Sequence, residues 1–134
     1  MNCLEMSEMG LNYNEVFQFM REFGVDFINS GEELIIDEPT NTYAYIKNCK
    51  DIEEVKTRVV FSLCRPIGKG LDDKTAKMLL KRVNEYFNVN LTRQDMRLMY
   101  GELCYVHKLD ELKSFIDRGF PIEELKGEER LYEI

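Results

Sequence analysis

The chain has 134 residues and a net charge of −7 from 18 basic and 25 acidic side chains. That length fits one domain, which buries roughly two-thirds of its unfolded surface without needing disulfides or metal, and an apolar fraction of 44% excludes a disordered chain. Charges interrupt every apolar run before it reaches a membrane span, and Met1 to Gly10, which carries Glu5 and Glu8, lacks the basic flank and apolar stretch of a secretory signal.

Residues 1–11 read as a polar, flexible arm. Asn12 then opens a first helix, with Glu15 placed to complete a capping box. Val16, Phe17, Met20 and Phe23 recur at helical spacing, and Gly24 is a natural stop. The period then shortens. Leu34–Ile36 and Tyr43–Ile46 are β-prone runs separated by a Pro- and Asn-containing turn, which predicts a hairpin. Val25–Ile28 adds a possible third strand before the turn at Asn29, Ser30 and Gly31.

From residue 51 the pattern is helical. Asp51 caps a second helix with Ile52, Val55, Val59 and Leu63 as its stripe, and Pro66 is expected to end it. Residues 67–70 then read as a loop. A third helix runs from about Asp72 to Phe87, with Ala76, Leu79, Leu80, Val83, Tyr86 and Phe87 on one side. Thr92 caps a fourth helix, with Asp95 as its partner. Apolar residues on two of its sides predict a central position. The last clear helix spans Leu109 to Asp117, with Gly119 as its left-handed cap and Phe120 folding back on Phe115. Pro121 is expected to stop propagation before an acidic tail. Leu112, Phe115, Ile116 and Gly119 locally resemble the second helix and turn of an ankyrin repeat. An ankyrin array needs neighbouring copies, and the chain has none. The expected class is α+β: one domain over 1–134, with an N-terminal helix and a small antiparallel hairpin, then about four helices.

The charge is segregated along the chain. Residues 1–56 carry a net −8, residues 57–97 carry +5 and residues 98–134 carry −4. On the third helix Lys74, Lys77 and Lys81 fall within about 60° of each other, opposite the apolar stripe. Arg65 and Lys69 precede that helix, and Arg93 and Arg97 lie four apart on the next. These seven residues form the candidate binding face. Met78 sits among the lysines with no core to join. A basic face of this kind suits an acidic protein surface or nucleic acid. The negative whole-chain field disfavours a polyanion, and aromatic residues are expected on core faces rather than among the bases.

Catalytic and metal chemistry find little support. Cys104 and the single histidine, His107, are three apart with no orienting partner, and Cys49 and Cys64 form no tight ligand pair with them. Gly68, Lys69 and Gly70 lack the phosphate-loop pattern, and Asp72 and Asp73 would repel a phosphate. No cofactor motif is present. The four scattered cysteines suit reduced thiols in a cytosol. Only two alanines in a helical chain point to AT-rich coding, as in low-GC bacteria or their phages. The expectation is a non-enzymatic, cytoplasmic protein-binding module, such as a phage or mobile-element inhibitor or adaptor acting on host machinery, an anti-defence role included. Nucleic-acid binding through the basic helices is the alternative, and a small enzyme of unknown class a further one. The strand Tyr43–Ile46 is the natural edge for a homodimer.

Overall fold

The computed structural model describes residues 11–30, 32–38 (37 and 38 by backbone alone), 40–103, 106 and 108–126. Helix α1 (Tyr13–Phe23) leads into strands β1 (Asp26–Asn29), β2 (Glu33–Glu38) and β3 (Thr42–Tyr45). Helix α2 (Ile52–Arg65) continues into a π-helical turn (Pro66–Gly70), then α3 (Asp73–Phe87), α4 (Arg93–Glu102) and α5 (Leu109–Asp117). The fold is α+β as expected, and the third strand is present.

Side-chain caps set most helix starts. Asn12 Oδ1 accepts from the amides of Asn14 and Glu15. Asp51 accepts from Glu54 N, Asp72 from Thr75 N, and Thr92 with Asp95 forms a full capping box. Helix α1 ends at Gly24 with φ +80°, and an added Cβ there would lie 2.1 Å from Arg82 Nη1. The guanidinium of Arg82 thus rests on the carbonyl end of α1, where a cation is favoured. Leu11, assigned to the flexible arm, is buried; residues 1–10 lie outside the described residues.

The sheet is antiparallel in the order β1-β2-β3, with Leu34 opposite Ala44, Ile36 opposite Thr42, and Ile28 opposite Ile35, which in turn faces Tyr43. Leu34, Ile36 and Ala44 are fully buried and join Val55, Val59, Val60 and Leu63 of α2 in one core. An aromatic chain ties the helices together. Phe19 and Phe23 meet Tyr86, Tyr86 meets Phe87, Phe87 meets Phe120, and Phe120 and Phe61 both meet Phe115, with centroids 5.0–6.2 Å apart.

Three local expectations are corrected. On α1, Phe17 is 40% exposed and Phe19 takes its place in the core. Phe17 instead stacks against Tyr13 and edges onto Phe27. The α-helix ends at Arg65 with Pro66 as its cap, as expected, but residues 67–70 are not a loop: the φ of −61° and ψ of −41° at Pro66 are helical, and the chain widens into the π turn, closed by Leu71 N donating to Pro66 O at 3.0 Å. A proline removes a donor but not the helical torsions. Finally, residues 122–126 form another helical turn beyond Pro121, with Ile122 and Leu125 buried.

Candidate functional site

The predicted basic face divides into three groups. Arg93 and Arg97 point into the protein's own backbone. Arg93 donates from Nε to Ile67 O at 2.9 Å, from Nη2 to Leu71 O at 3.2 Å, and from Nη1 to Asp73 at 3.2 Å. Arg97 Nη2 donates to Gly68 O at 3.0 Å. The carbonyls left over by the π turn are therefore satisfied by two arginines of α4. Gly68 permits the approach, because a Cβ there would come within 3.0 Å of the Arg97 backbone. Carbonyls, not free amides, face the Gly68–Gly70 segment's neighbours, so this turn is not a phosphate cradle.

Lys74, Lys77 and Lys81 are exposed along α3, as expected, and Met78 beside them is 41% exposed. Lys77 pairs with Asp73 at 3.0 Å and Lys81 with Glu85 at 3.9 Å. Such exposed i, i+4 pairs contribute little to stability but offset the charge of two of the three lysines. Asp73 is held below the ordinary carboxylate range, first by its hydrogen bond and charge contact with Lys77 and then by Arg93.

Arg65 and Lys69 belong to a different surface. Arg65 lines a groove of about 580 Å³ bounded by Thr40–Tyr43 on one side and by Arg58, Phe61 and Ser62 of α2 on the other. Pro66, Gly70, Leu71, Tyr100 and Leu112 complete its walls. Lys69 Nζ lies 5.3 Å from the centroid of the Tyr100 ring. Among the described residues none that lines the groove is acidic, and neither Arg58 nor Arg65 is paired with a carboxylate.

The second unassigned surface is the outer face of the sheet. Ile28 is 50% exposed, Tyr43 56% and Tyr45 41%, and Ile28, Ile35 and Tyr43 stand in one cross-strand row. Glu33 shares a register position with Tyr45. At one margin Lys47 pairs with Glu32 at 3.2 Å. An antiparallel sheet with one wet face normally alternates apolar-in with polar-out. Here β3 reads Thr-Tyr-Ala-Tyr, so the outward positions, which would ordinarily be polar, are both tyrosine.

Arg58 was not singled out by sequence, and Tyr43 and Tyr45 were named only as part of an edge strand open to a homodimer. Arg58 and Arg65 are two helical turns apart, with Phe61 and Ser62 between them on the same face, and that spacing was the available signal. The expectation that aromatics stay on core faces is corrected by Tyr43 and Tyr45. Lys56 also lies over the rings of Tyr86 and Phe19.

Cys49 and Cys64 are both buried. Burial, the dominant cause, pushes the Cys49 thiol from its ordinary 9.0 up to about 12, and nearby Arg58 opposes this only in part. Folding stability should therefore fall as pH rises from 9 towards 12, where the unfolded thiol ionises and the native one does not. At pH 8 native protein should leave Cys49 unalkylated by iodoacetamide, and peptide mass mapping should find it modified only after denaturation. Fast labelling of the native chain would contradict this burial. The Cys104–His107 pair lies outside the described residues. Among the described residues no cluster of three metal-ligating side chains occurs, and no helix is long and apolar enough to cross a membrane.

Comparison with protein-family models, with curated proteins and with solved structures finds no match for this chain.

Proposed function

We propose that the chain is a non-enzymatic protein-binding module that docks through the outer face of its sheet. The observation that carries this reading is the outer row of Ile28, Ile35 and Tyr43, in which Ile28 and Tyr43 are exposed and Ile35 is half-buried, extended by the exposed Tyr45. Isolated exposed apolar residues need no explanation, but a contiguous patch on one flat face marks an interaction surface. Tyrosine is enriched at the energetic centres of interfaces, where its ring is buried and its hydroxyl finds a partner. Asp26, Glu32 and Glu33 belong to the strands and turn around the patch, so the complementary surface is apolar with a basic margin. The composition points to a setting in low-GC bacteria or their phages, with an inhibitor or adaptor acting in the cytoplasm on host machinery.

Nucleic-acid binding by the seven predicted basic residues is less well supported. Arg93 and Arg97 are engaged with backbone carbonyls, and Lys77 and Lys81 already have carboxylate partners.

The test is affinity capture from host lysate with the double variant Ile28→Asp, Tyr45→Asp beside the double variant Lys74→Glu, Lys77→Glu. Both change exposed side chains, so both should unfold like the parent. The sheet variant should lose at least about tenfold of its specific partner, as removing a central apolar anchor does. The lysine variant should retain it. Partner capture lost only in the lysine variant, or a gel shift whose affinity falls steeply with salt, would overturn the reading.

A further inference from the structure

We propose that the groove between β3 and α2 receives an extended, acidic segment of a protein partner, added as a further strand along the free edge of β3. This deepens the protein-binding reading and rests on it.

The backbone pattern exposes the edge. Ile46 N donates to Glu32 O at 2.7 Å, which makes Glu32 and Ile46 a hydrogen-bonded pair. Pairing alternates along an antiparallel ladder. Leu34 with Ala44 and Ile36 with Thr42 are thus the other bonded pairs, and the amides and carbonyls of Tyr43 and Tyr45 point away from β2. Among the described residues β3 is the last strand of the sheet, so those groups face no other described strand. Edge strands are ordinarily guarded by charge, proline or a bulge. Thr-Tyr-Ala-Tyr carries no charge and no proline, and no irregularity interrupts its pairing with β2.

The groove supplies the selectivity. A strand entering beside Thr42 and Tyr43 would have Arg58, Ser62 and Arg65 of α2 as its other wall. In a protein with more acids than bases, this groove of about 580 Å³ has two arginines and no carboxylate among the described residues of its lining. Arg58 and Arg65 are about 10 Å apart along the helix axis, and same-side residues of a strand are about 7 Å apart. The reach of two guanidiniums spans that difference, so acidic residues at alternating positions of the incoming strand can each meet one. Hydroxyls of Thr42 and Ser62 add neutral donors, while that of Thr40 is engaged with Ile36 O at 3.2 Å. The same charge argument decides against self-pairing. The β3 strand of a second copy would bring no carboxylate to the arginines. Strand addition with side-chain pockets on one wall is an established way for domains to hold peptides.

The test uses the full chain and a fluorescein-labelled peptide in which Glu alternates with Val, read by fluorescence polarisation. Binding should be saturable and should weaken with salt. Arg58→Gln and Arg65→Gln should each weaken it about tenfold, the loss of a charge-assisted contact. N-methylation of alternate peptide amides should weaken it comparably, whereas a Lys/Val counterpart should not bind. Gln18→Ala, an exposed change on α1 away from the groove and the sheet face, should leave peptide affinity unchanged. The proposal is overturned by absent binding, by equal binding of the Lys/Val peptide, or by arginine variants that bind like the parent. It is also overturned if light scattering shows a dimer that Tyr43→Pro dissolves, since a second copy then fills the edge. If Ile28→Asp abolishes partner capture while the arginine variants retain it, the sheet face stands as the docking surface and strand insertion falls.

Discussion

Phe23→Ala should lower the unfolding free energy by about 3–5 kcal/mol, the range for emptying a buried aromatic site. Phe23 is 1% exposed and its ring contacts Phe19 and Tyr86 at centroid distances of 5.6 and 6.1 Å. It is the last residue of α1, so its side chain fixes the end of that helix against α3 just before the chain turns into the sheet. Collapse of the site is limited because Arg82 already occupies the space over Gly24. Urea denaturation followed by circular dichroism would measure the change. A loss below about 1 kcal/mol would mean that α1 is only loosely attached, and the sheet it leads into would have no fixed place.

Arg93→Met should cost about 3 kcal/mol. The substitution keeps an unbranched stem but removes every donor. The carbonyls of Ile67 and Leu71 then lose charge-assisted bonds of 2.9 and 3.2 Å in a partly buried setting. Ile67 is itself fully buried, so water does not readily replace the lost donor. Arg93→Lys should recover only part of the loss, because an ammonium cannot reproduce the planar fork that serves two carbonyls and Asp73 together. Hydrogen exchange at Leu71, whose amide closes the π turn, should accelerate in Arg93→Met. If the variant is as stable as the parent, Arg93 returns to the set of residues available for an anionic partner.

Helix boundaries were legible because caps are local. Asn12, Asp51, Asp72 and Thr92 each satisfy an amide two or three residues away, and Gly119 with Phe120 closes α5 as its sequence predicts. The strand assignments followed from a change of period, and the third strand from the short apolar run before Asn29. What stayed hidden depends on contacts across the chain. The π turn exists through arginines some 26 and 29 positions away, whose spacing to Ile67 and Gly68 no local rule encodes. For the same reason Arg93 and Arg97 looked like surface charges. Phe19, by contrast, was legible: it lies three residues after Val16 and four before Phe23, on the buried stripe where it meets Tyr86, and Phe17 lies off that stripe. The site was legible in part. Arg65 and Lys69 were named, but their separation from the α3 lysines was not. The outward tyrosines of β3 read as strand formers, because alternation shows which side chains share a face and not whether that face is covered.

The central claim is that the outer sheet face meets a protein. It is tested most directly by placing a photo-crosslinking amino acid at Tyr45 and, in a separate protein, at Lys77, then irradiating each in host lysate. The account predicts a discrete protein adduct from position 45, lost on addition of Ile28→Asp, and none from position 77. A discrete adduct from position 77 with none from position 45 would contradict it.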